Sequence, residues 1–163
     1  MSDVEAEFAI RRVLMRYCRA IDRMDEPLLR SCYHPDATED HAGFRGGVDD
    51  YVTWVWALLG KFTMTMHVVA NVLVEPDGPD AARAESYGVA YHRDERSPDN
   101  PRRNYSSGFR YLDRFERRDG DWRIASRLVA VEWSRVEGGF IDLPPGITRG
   151  ARGGADPLYE RRG

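Results

Sequence analysis

The apolar positions of this chain fall into three helical stripes followed by a series of alternating runs. Ile10, Val13, Leu14, Tyr17, Cys18 and Ile21 recur at the three-and-four spacing of one helical face, whereas Arg11, Arg12, Arg16 and Arg19 fall largely elsewhere. This predicts an amphipathic helix. Asp25-Glu26-Pro27 reads as a second helix start, because a carboxylate caps free backbone N–H groups and proline fits the first turn. That helix is expected to run through Leu28 and Leu29 to about Cys32 and to be broken by His34-Pro35-Asp36. A third starts at Asp49 and Asp50, carries Tyr51, Val52, Val55, Trp56, Leu58 and Leu59, and ends near Gly60.

Beyond Gly60 the period changes. Strands are expected over 62–75, 81–92, 105–116 and 122–136, separated by turn-rich segments at 75–79, 97–101 and 118–121. Asp119-Gly120 is a strong hairpin signal. Helices first and antiparallel strands afterwards define an α+β domain, not alternating βαβ units. Residues 137–163, with their Gly, Pro and Arg, are too poor in apolar side chains to build a core and are expected as a tail beyond a 1–136 domain.

Alternation in the first long strand puts Met64, Met66, Val68, Ala70 and Val72 on one face and Thr63, Thr65, His67, Val69 and Asn71 on the other. The second face is half polar. It either meets solvent or lines a pocket beneath the helices, and in a pocket His67 is suited to general-base work near neutral pH. Asp22 sits at the C-terminal edge of the first apolar stripe, where it is either a solvated helix end or a desolvated carboxylate that carries a proton or orients a histidine. Arg127 shares its expected face with Arg123, Ala125, Val129, Val131 and Trp133; flanked by apolar neighbours, it requires an anion, from a structural ion pair or from a substrate oxygen.

Tyr17 on the helical stripe reads as core or as catalyst, and His92 at the end of the second strand is a further candidate. Trp54, Trp56 and the methionines near His67 offer apolar surface to a ring-shaped ligand. His34 and His41, with Asp36, Glu39 and Asp40, match no metal template and read as a solvated loop. The strand between Met64 and Val74 is also expected to leave Val68, Val72 and Val74 on an outer face that needs covering.

Composition narrows the choice further. At 163 residues, 42% hydrophobic and 31% charged, the chain fits one globular domain large enough to fold without disulfides or structural metal. A net charge of −3 gives no pull toward nucleic acid or anionic membranes. No apolar run approaches the ~18 residues of a membrane span, and the acidic start lacks a secretion signal, so a cytoplasmic location is expected. Cys18 and Cys32 form no CxxC and are expected as small buried residues. The sequence has no GxSxG, HExxH, Walker or GxGxxG motif.

Taken together, Tyr17-Cys-Arg-Ala-Ile-Asp22, Cys32-Tyr-His-Pro-Asp-Ala37, the helix before Thr65-Met-His67-Val-Val-Ala-Asn71, and Phe115-Glu-Arg-Arg-Asp-Gly-Asp-Trp122 leading to Arg127 resemble the SnoaL-like branch of the nuclear transport factor 2 superfamily. The likeness covers about residues 5–136. It implies a cone in which N-terminal helices pack in the concave face of a strongly curved, mostly antiparallel sheet. Within that superfamily the chain is similar to scytalone dehydratases, bile acid 7α-dehydratases and hexachlorocyclohexane dehydrochlorinases, which eliminate water or HCl from ring substrates with an Asp–His pair.

On that likeness Asp22 and His67 stand where the pair stands. Tyr17 matches the bile acid enzymes' tyrosine five residues before the aspartate, and Arg127 matches the dehydrochlorinases' arginine five residues after the strand tryptophan, here Trp122. His92 lies near the second histidine of scytalone dehydratases. The implied activity is a lyase without cofactor or metal, dehydrating or else isomerising an apolar cyclic or aromatic small molecule. His67, made more basic by Asp22, removes a proton, Tyr17 or Arg127 stabilises the developing oxygen charge, and Trp54, Asn71 and His92 contact substrate. A homotrimer is implied, otherwise a dimer, with Phe140–Ile147 folded across a neighbour or over the pocket mouth. The alternative role is non-catalytic: a small-molecule-binding protein, or a small subunit of an aromatic-ring hydroxylating dioxygenase.

Overall fold

The structure is a computed structural model that describes residues 2–97, 100, 102–136 and 144–160. Three helices and six strands form the body: α1 (Asp3–Arg23), α2 (Glu26–Ser31), β1 (Tyr33–His41), β2 (Phe44–Gly47), α3 (Val48–Leu59), β3 (Met64–Pro76), β4 (Ala81–Arg93), β5 (Tyr105–Arg118) and β6 (Asp121–Val136). A 3-10 turn, Gly153–Ala155, and a one-turn helix, α4 (Pro157–Glu160), follow.

Helix α1 is set at both ends by local chemistry. Ser2 Oγ accepts from the Glu5 N–H at 3.3 Å while Glu5 accepts from the Ser2 N–H at 2.8 Å, a reciprocal cap. At the other end Met24, with φ of 53°, turns the chain in the left-handed region. Asp25 then accepts from the Leu28 N–H at 3.0 Å and starts α2. Between the caps Ile10, Val13, Leu14, Tyr17, Ala20 and Ile21 are buried in one core with Phe109, Tyr111, Phe115 and Ile124 of the sheet. The apolar stripe therefore holds α1 in the concave face, and with it the last turn that carries Asp22.

The sheet order is β2-β1-β6-β5-β4-β3, and every neighbouring pair is antiparallel except β1 and β6. The expected α+β cone is the observed architecture. Its strand inventory is larger than the periodicity implied, because the expected solvated loop at His34–His41 is strand β1, turned through Ala42 (φ 48°) and Gly43 (φ 93°) into β2. His34 is buried, and its Nε2 meets the Glu116 carbonyl at 2.9 Å. Parallel pairing with β6, remote in sequence, overrides the weak local strand signal.

Two more corrections come from bulges, each of which adds a residue and reverses the alternation beyond it. In β3 the register shifts between Ala70 and Val72, with Asn71 at φ 44°. Asn71 is thereby exposed, off the His67 face, whereas Val72 and Val74 turn inward and pack on the core instead of lying on the outer face. In β6 the shift opposite Arg114 and Phe115 falls at Ala125, so the buried Arg127 lies on the inner face with Trp122 and Ile124, not with Arg123 and Ala125. Cys18 and Cys32 are free thiols, half-buried and buried.

After β6 the chain returns to the helical end of the cone. Arg23 pairs with Asp156 at 3.1 Å, Tyr159 donates its hydroxyl to Asp25 at 3.0 Å, and Arg149 meets Glu95 at 3.3 Å. Of the segment expected to fold over the mouth, 140–143 lies outside the described residues and Pro144–Ile147 is exposed.

Candidate active site

Asp22 and His67 meet where the last turn of α1 crosses β3. Asp22 Oδ1 lies 2.7 Å from His67 Nδ1 and accepts from the Thr65 hydroxyl at 3.1 Å, while Oδ2 accepts from the His67 backbone N–H at 2.9 Å. Three donors thus fix one carboxylate. An ionised carboxylate only accepts, so the imidazole proton sits on Nδ1 and Nε2 is left with its lone pair. Among the described residues Nε2 has no hydrogen-bond partner. Both side chains are nearly but not fully shut off from solvent, at 9% exposure for His67 and 12% for Asp22.

The wall around His67 is aromatic. The His92 ring stands edge-on to it at 5.9 Å, stacks on Tyr105 at 4.3 Å and leans on Phe62 at 5.0 Å; Phe109 lies 6.3 Å from His67 on the next side. His92 Nδ1 is buried without a partner. Burial, reinforced by the neighbouring His67 and Arg93, pushes the His92 pKa down to about 3, so this ring is neutral at pH 7.

Tyr17 and Arg127 belong to a second cluster, reached from His67 through Phe109 and Tyr111, whose rings lie 4.6 Å apart. Arg127 grips Asp113 through Nε at 2.7 Å and Nη2 at 2.8 Å, and its guanidinium is sandwiched 4.2 Å over Tyr17 and 3.9 Å over Tyr111. The Tyr17 hydroxyl shares a hydrogen bond of 2.6 Å with Tyr51. Burial pushes the Tyr17 pKa well up, so the phenol is neutral; burial opposes the charge on Arg127, but Asp113 together with Tyr33 and Tyr17 outweighs it and keeps the guanidinium protonated. Cys18 stands between the two clusters, felt by both Arg127 and Asp22, and burial raises its thiol to about 12. One guanidinium atom, Arg127 Nη1, is buried without a partner.

The structure does not gather the remaining candidates at the Asp22–His67 pair. Trp54 stacks on Phe44 at 5.4 Å and lies 5.7 Å from His41, beside β1 and β2. Trp56 donates its indole N–H to Glu26 at 3.0 Å. Met64 and Met66 are exposed on the outer face of β3, so the methionines near His67 in sequence line nothing beside it in space. Asn71 is displaced by its bulge. In their place stand Thr65, which alternation already puts on the His67 face, and Phe109, which is not singled out by it; Arg152, which no periodicity in the Gly-rich tail marks, reaches Met24 at the end of α1.

Open clefts lie elsewhere. One of about 170 Å³ is bounded by Glu7, Val74 and Trp122, another of about 340 Å³ by Glu39, Arg45 and Arg127, and Asp22 and His67 line neither. Among the described residues no three His, Cys, Asp or Glu side chains gather as a metal site.

An α+β cone that seats a helix-borne carboxylate against a strand-borne imidazole is the class this geometry defines. The chain belongs to the SnoaL-like family, whose domain matches residues 2–128. Among curated proteins none matches the sequence. Solved structures share the fold. A candidate scytalone dehydratase from Novosphingobium aromaticivorans is 21% identical with a TM-score of 0.73, over 90% of this chain and 97% of the other. A type 2 hexachlorocyclohexane dehydrochlorinase is 20% identical with a TM-score of 0.73, over 88% and 97%. A candidate aromatic ring hydroxylase from N. aromaticivorans is 14% identical with a TM-score of 0.68, over 82% and 93%.

Proposed function

We propose that this chain is a cofactor-free lyase of the dehydratase type, with isomerisation as the nearest variant, acting on an apolar cyclic or aromatic small molecule. The observation that carries the reading is the 2.7 Å contact between Asp22 Oδ1 and His67 Nδ1, which leaves Nε2 as a base. Nε2 takes a proton from the carbon next to an activating group, and the electron pair forms the double bond. The hydroxyl on the neighbouring carbon departs as water with the proton that the imidazolium returns. Asp22 balances the transient positive charge on the ring. Neither of the two expected oxygen stabilisers stands at the pair: Arg127 is held by Asp113 between the Tyr17 and Tyr111 rings, and the Tyr17 hydroxyl is engaged by Tyr51. Assembly as a homotrimer in the cytoplasm completes the reading; the exposed apolar outer face of the sheet and two free thiols support it.

The test is turnover of cyclic β-hydroxy ketones and cyclic alcohols in D₂O, with alkene formation and C–H exchange followed by NMR. Loss of a positioned general base in His67→Asn should lower the rate by about 10²–10⁴-fold. Asp22→Asn should do so by a different route. An amide cannot accept from both the His67 backbone N–H and Nδ1–H, so its NH₂ turns to the imidazole and drives the ring proton onto Nε2. Long-range ¹H–¹⁵N spectra read that tautomer directly. Turnover unchanged in His67→Asn would sink the lyase reading.

A second reading, a binding protein or small subunit of a ring-hydroxylating dioxygenase, is favoured by the filled interior around Tyr17, Tyr51, Tyr111 and Arg127. Stable co-purification with an iron-bearing large subunit would select it.

A further inference from the structure

The C-terminal segment brings Arg152 against the end of α1. Arg152 Nη1 donates to the Leu59 carbonyl at 2.8 Å, at the end of α3, and lies 3.1 Å from Met24 Sδ, two residues beyond Asp22. The rest of the guanidinium is different: Nε and Nη2 are both buried, and neither has a hydrogen-bond partner among the described residues. Nearby cations are neutralised by acids. Asp94 is tied to Arg96 and Arg103, Glu95 to Arg149, and Asp156 to Arg23, whereas Arg152 has no carboxylate within ion-pairing distance among the described residues.

Tail anchoring accounts for Nη1 and for nothing else. A guanidinium that only tied the tail to Leu59 would gain by leaving its other edge in water, since a desolvated, unpaired donor costs about 1–3 kcal/mol. The same molecule displays what that edge is shaped for. In Arg127 the Nε and Nη2 donors run side by side onto the two oxygens of Asp113 at 2.7 and 2.8 Å. In Arg152 the identical pair of atoms is buried and unpaired among the described residues. Met24, which Nη1 touches, caps the end of α1 two residues beyond Asp22, so the guanidinium stands at the end of the cone that carries the Asp22–His67 pair.

We infer that Arg152 is a substrate-binding residue of the Asp22–His67 site and that its Nε–Nη2 edge receives a carboxylate carried by the substrate. The assignment rests on the acid–base reading of Asp22 and His67 for its place in a reaction, but carboxylate recognition is testable without turnover. It narrows the substrate class to ring-bearing carboxylic acids. With the carboxylate held side-on, charge that builds on its oxygens as His67 Nε2 removes the adjacent C–H proton falls on the guanidinium. The C–H electron pair becomes the double bond, the β-hydroxyl leaves as water with the proton returned by His67, and the carboxylate ends as it began.

The experiment compares cyclohexanecarboxylate with its neutral isostere, cyclohexanecarboxamide, by calorimetry and by ¹⁵N NMR of the Arg152 Nε–H. The wild-type chain should bind the carboxylate more tightly, and its Arg152 Nε–H signal should move as the carboxylate is added. Arg152→Lys keeps the charge but lacks the paired edge; it should weaken carboxylate binding about tenfold or more and leave the carboxamide unchanged. Tyr159→Phe loosens the tail by removing the bond to Asp25 without touching the edge, and should leave both affinities within about threefold. His67→Asn should retain carboxylate binding, so a failure of the lyase reading stays separate from a failure of this one. Equal affinity for the two probes, no carboxylate binding at millimolar concentration, an unmoved Nε–H signal, or equal losses in Arg152→Lys and Tyr159→Phe would each overturn the assignment. If Arg152→Lys fails to fold, the wild-type Nε–H titration decides alone.

Discussion

His92 shows how much one buried ring can say about a site. Its pKa is pushed from 6.5 to about 3, first by burial, then by His67 and Arg93, while Tyr105 works in the other direction. The sign follows: between pH 3 and 6.5 the unfolded chain binds a proton at residue 92 that the folded chain refuses. That contribution to stability is whole above pH 6.5 and is lost as pH falls toward 3. Urea titrations at several pH values should therefore show a slope of up to about 1.4 kcal/mol per pH unit from this residue. His92→Phe, which keeps the stack on Tyr105, should remove that slope, and an unchanged slope would mean that His92 is hydrated in solution. His67 was legible from strand alternation and Asp22 from the edge of the first apolar stripe, whereas His92 entered only as a strand-end histidine and through the family likeness. Arg152 was not, because its position depends on a tail whose path is set by Arg23, Asp25 and Glu95, all remote in sequence.

Helices and long strands were legible to within a few residues at their ends, since caps and periodicity act locally, and the two errors on strand faces share one cause. A bulge is invisible to a period-2 reading, yet it reverses every side chain beyond it. Asn71 marks the bulge in β3 by its left-handed backbone, φ 44°, a conformation that asparagine tolerates and β-branched residues resist. Asn71→Val should consequently destabilise the chain by about 1–2 kcal/mol, although the side chain is exposed and touches no part of the core. Asn71→Gly, free in that region, should match or exceed wild-type stability. Equal midpoints for the two variants in urea unfolding would show that the backbone at 71 is not held left-handed. The bulge also keeps Val72 and Val74 on the core beside α1. A variant that straightened β3 would turn them outward, which links the site's supporting strand to a single backbone angle.

The whole molecule presents a problem that α1 solves on one side only. The concave face is covered by the helices, but the outer face of the sheet leaves Met66, Val68, Tyr87, Leu128 and Trp133 each 45–49% exposed. Among them runs a charged ladder in which Arg110 reaches Glu85 at 2.7 Å and Glu132 at 2.6 Å. That self-satisfied ladder needs no outside partner, so what remains for a neighbour is apolar surface, the composition of an interface between copies. Local periodicity foretold an outer face but not its membership, because the bulges exchanged Val72 and Val74 for residues further along β6. On the proposed homotrimer, light scattering should give three times the 18.7 kDa chain mass at micromolar concentration. Leu128→Glu places a charge in the apolar area, where desolvation without a partner is costly. It should yield a monomer with unchanged helix content, since Leu128 lies on the face of β6 opposite to that of the buried Arg127. A wild-type chain that scatters as one copy, or a Leu128→Glu chain that still assembles, would remove the outer sheet face from the assembly and leave its apolar residues to another partner.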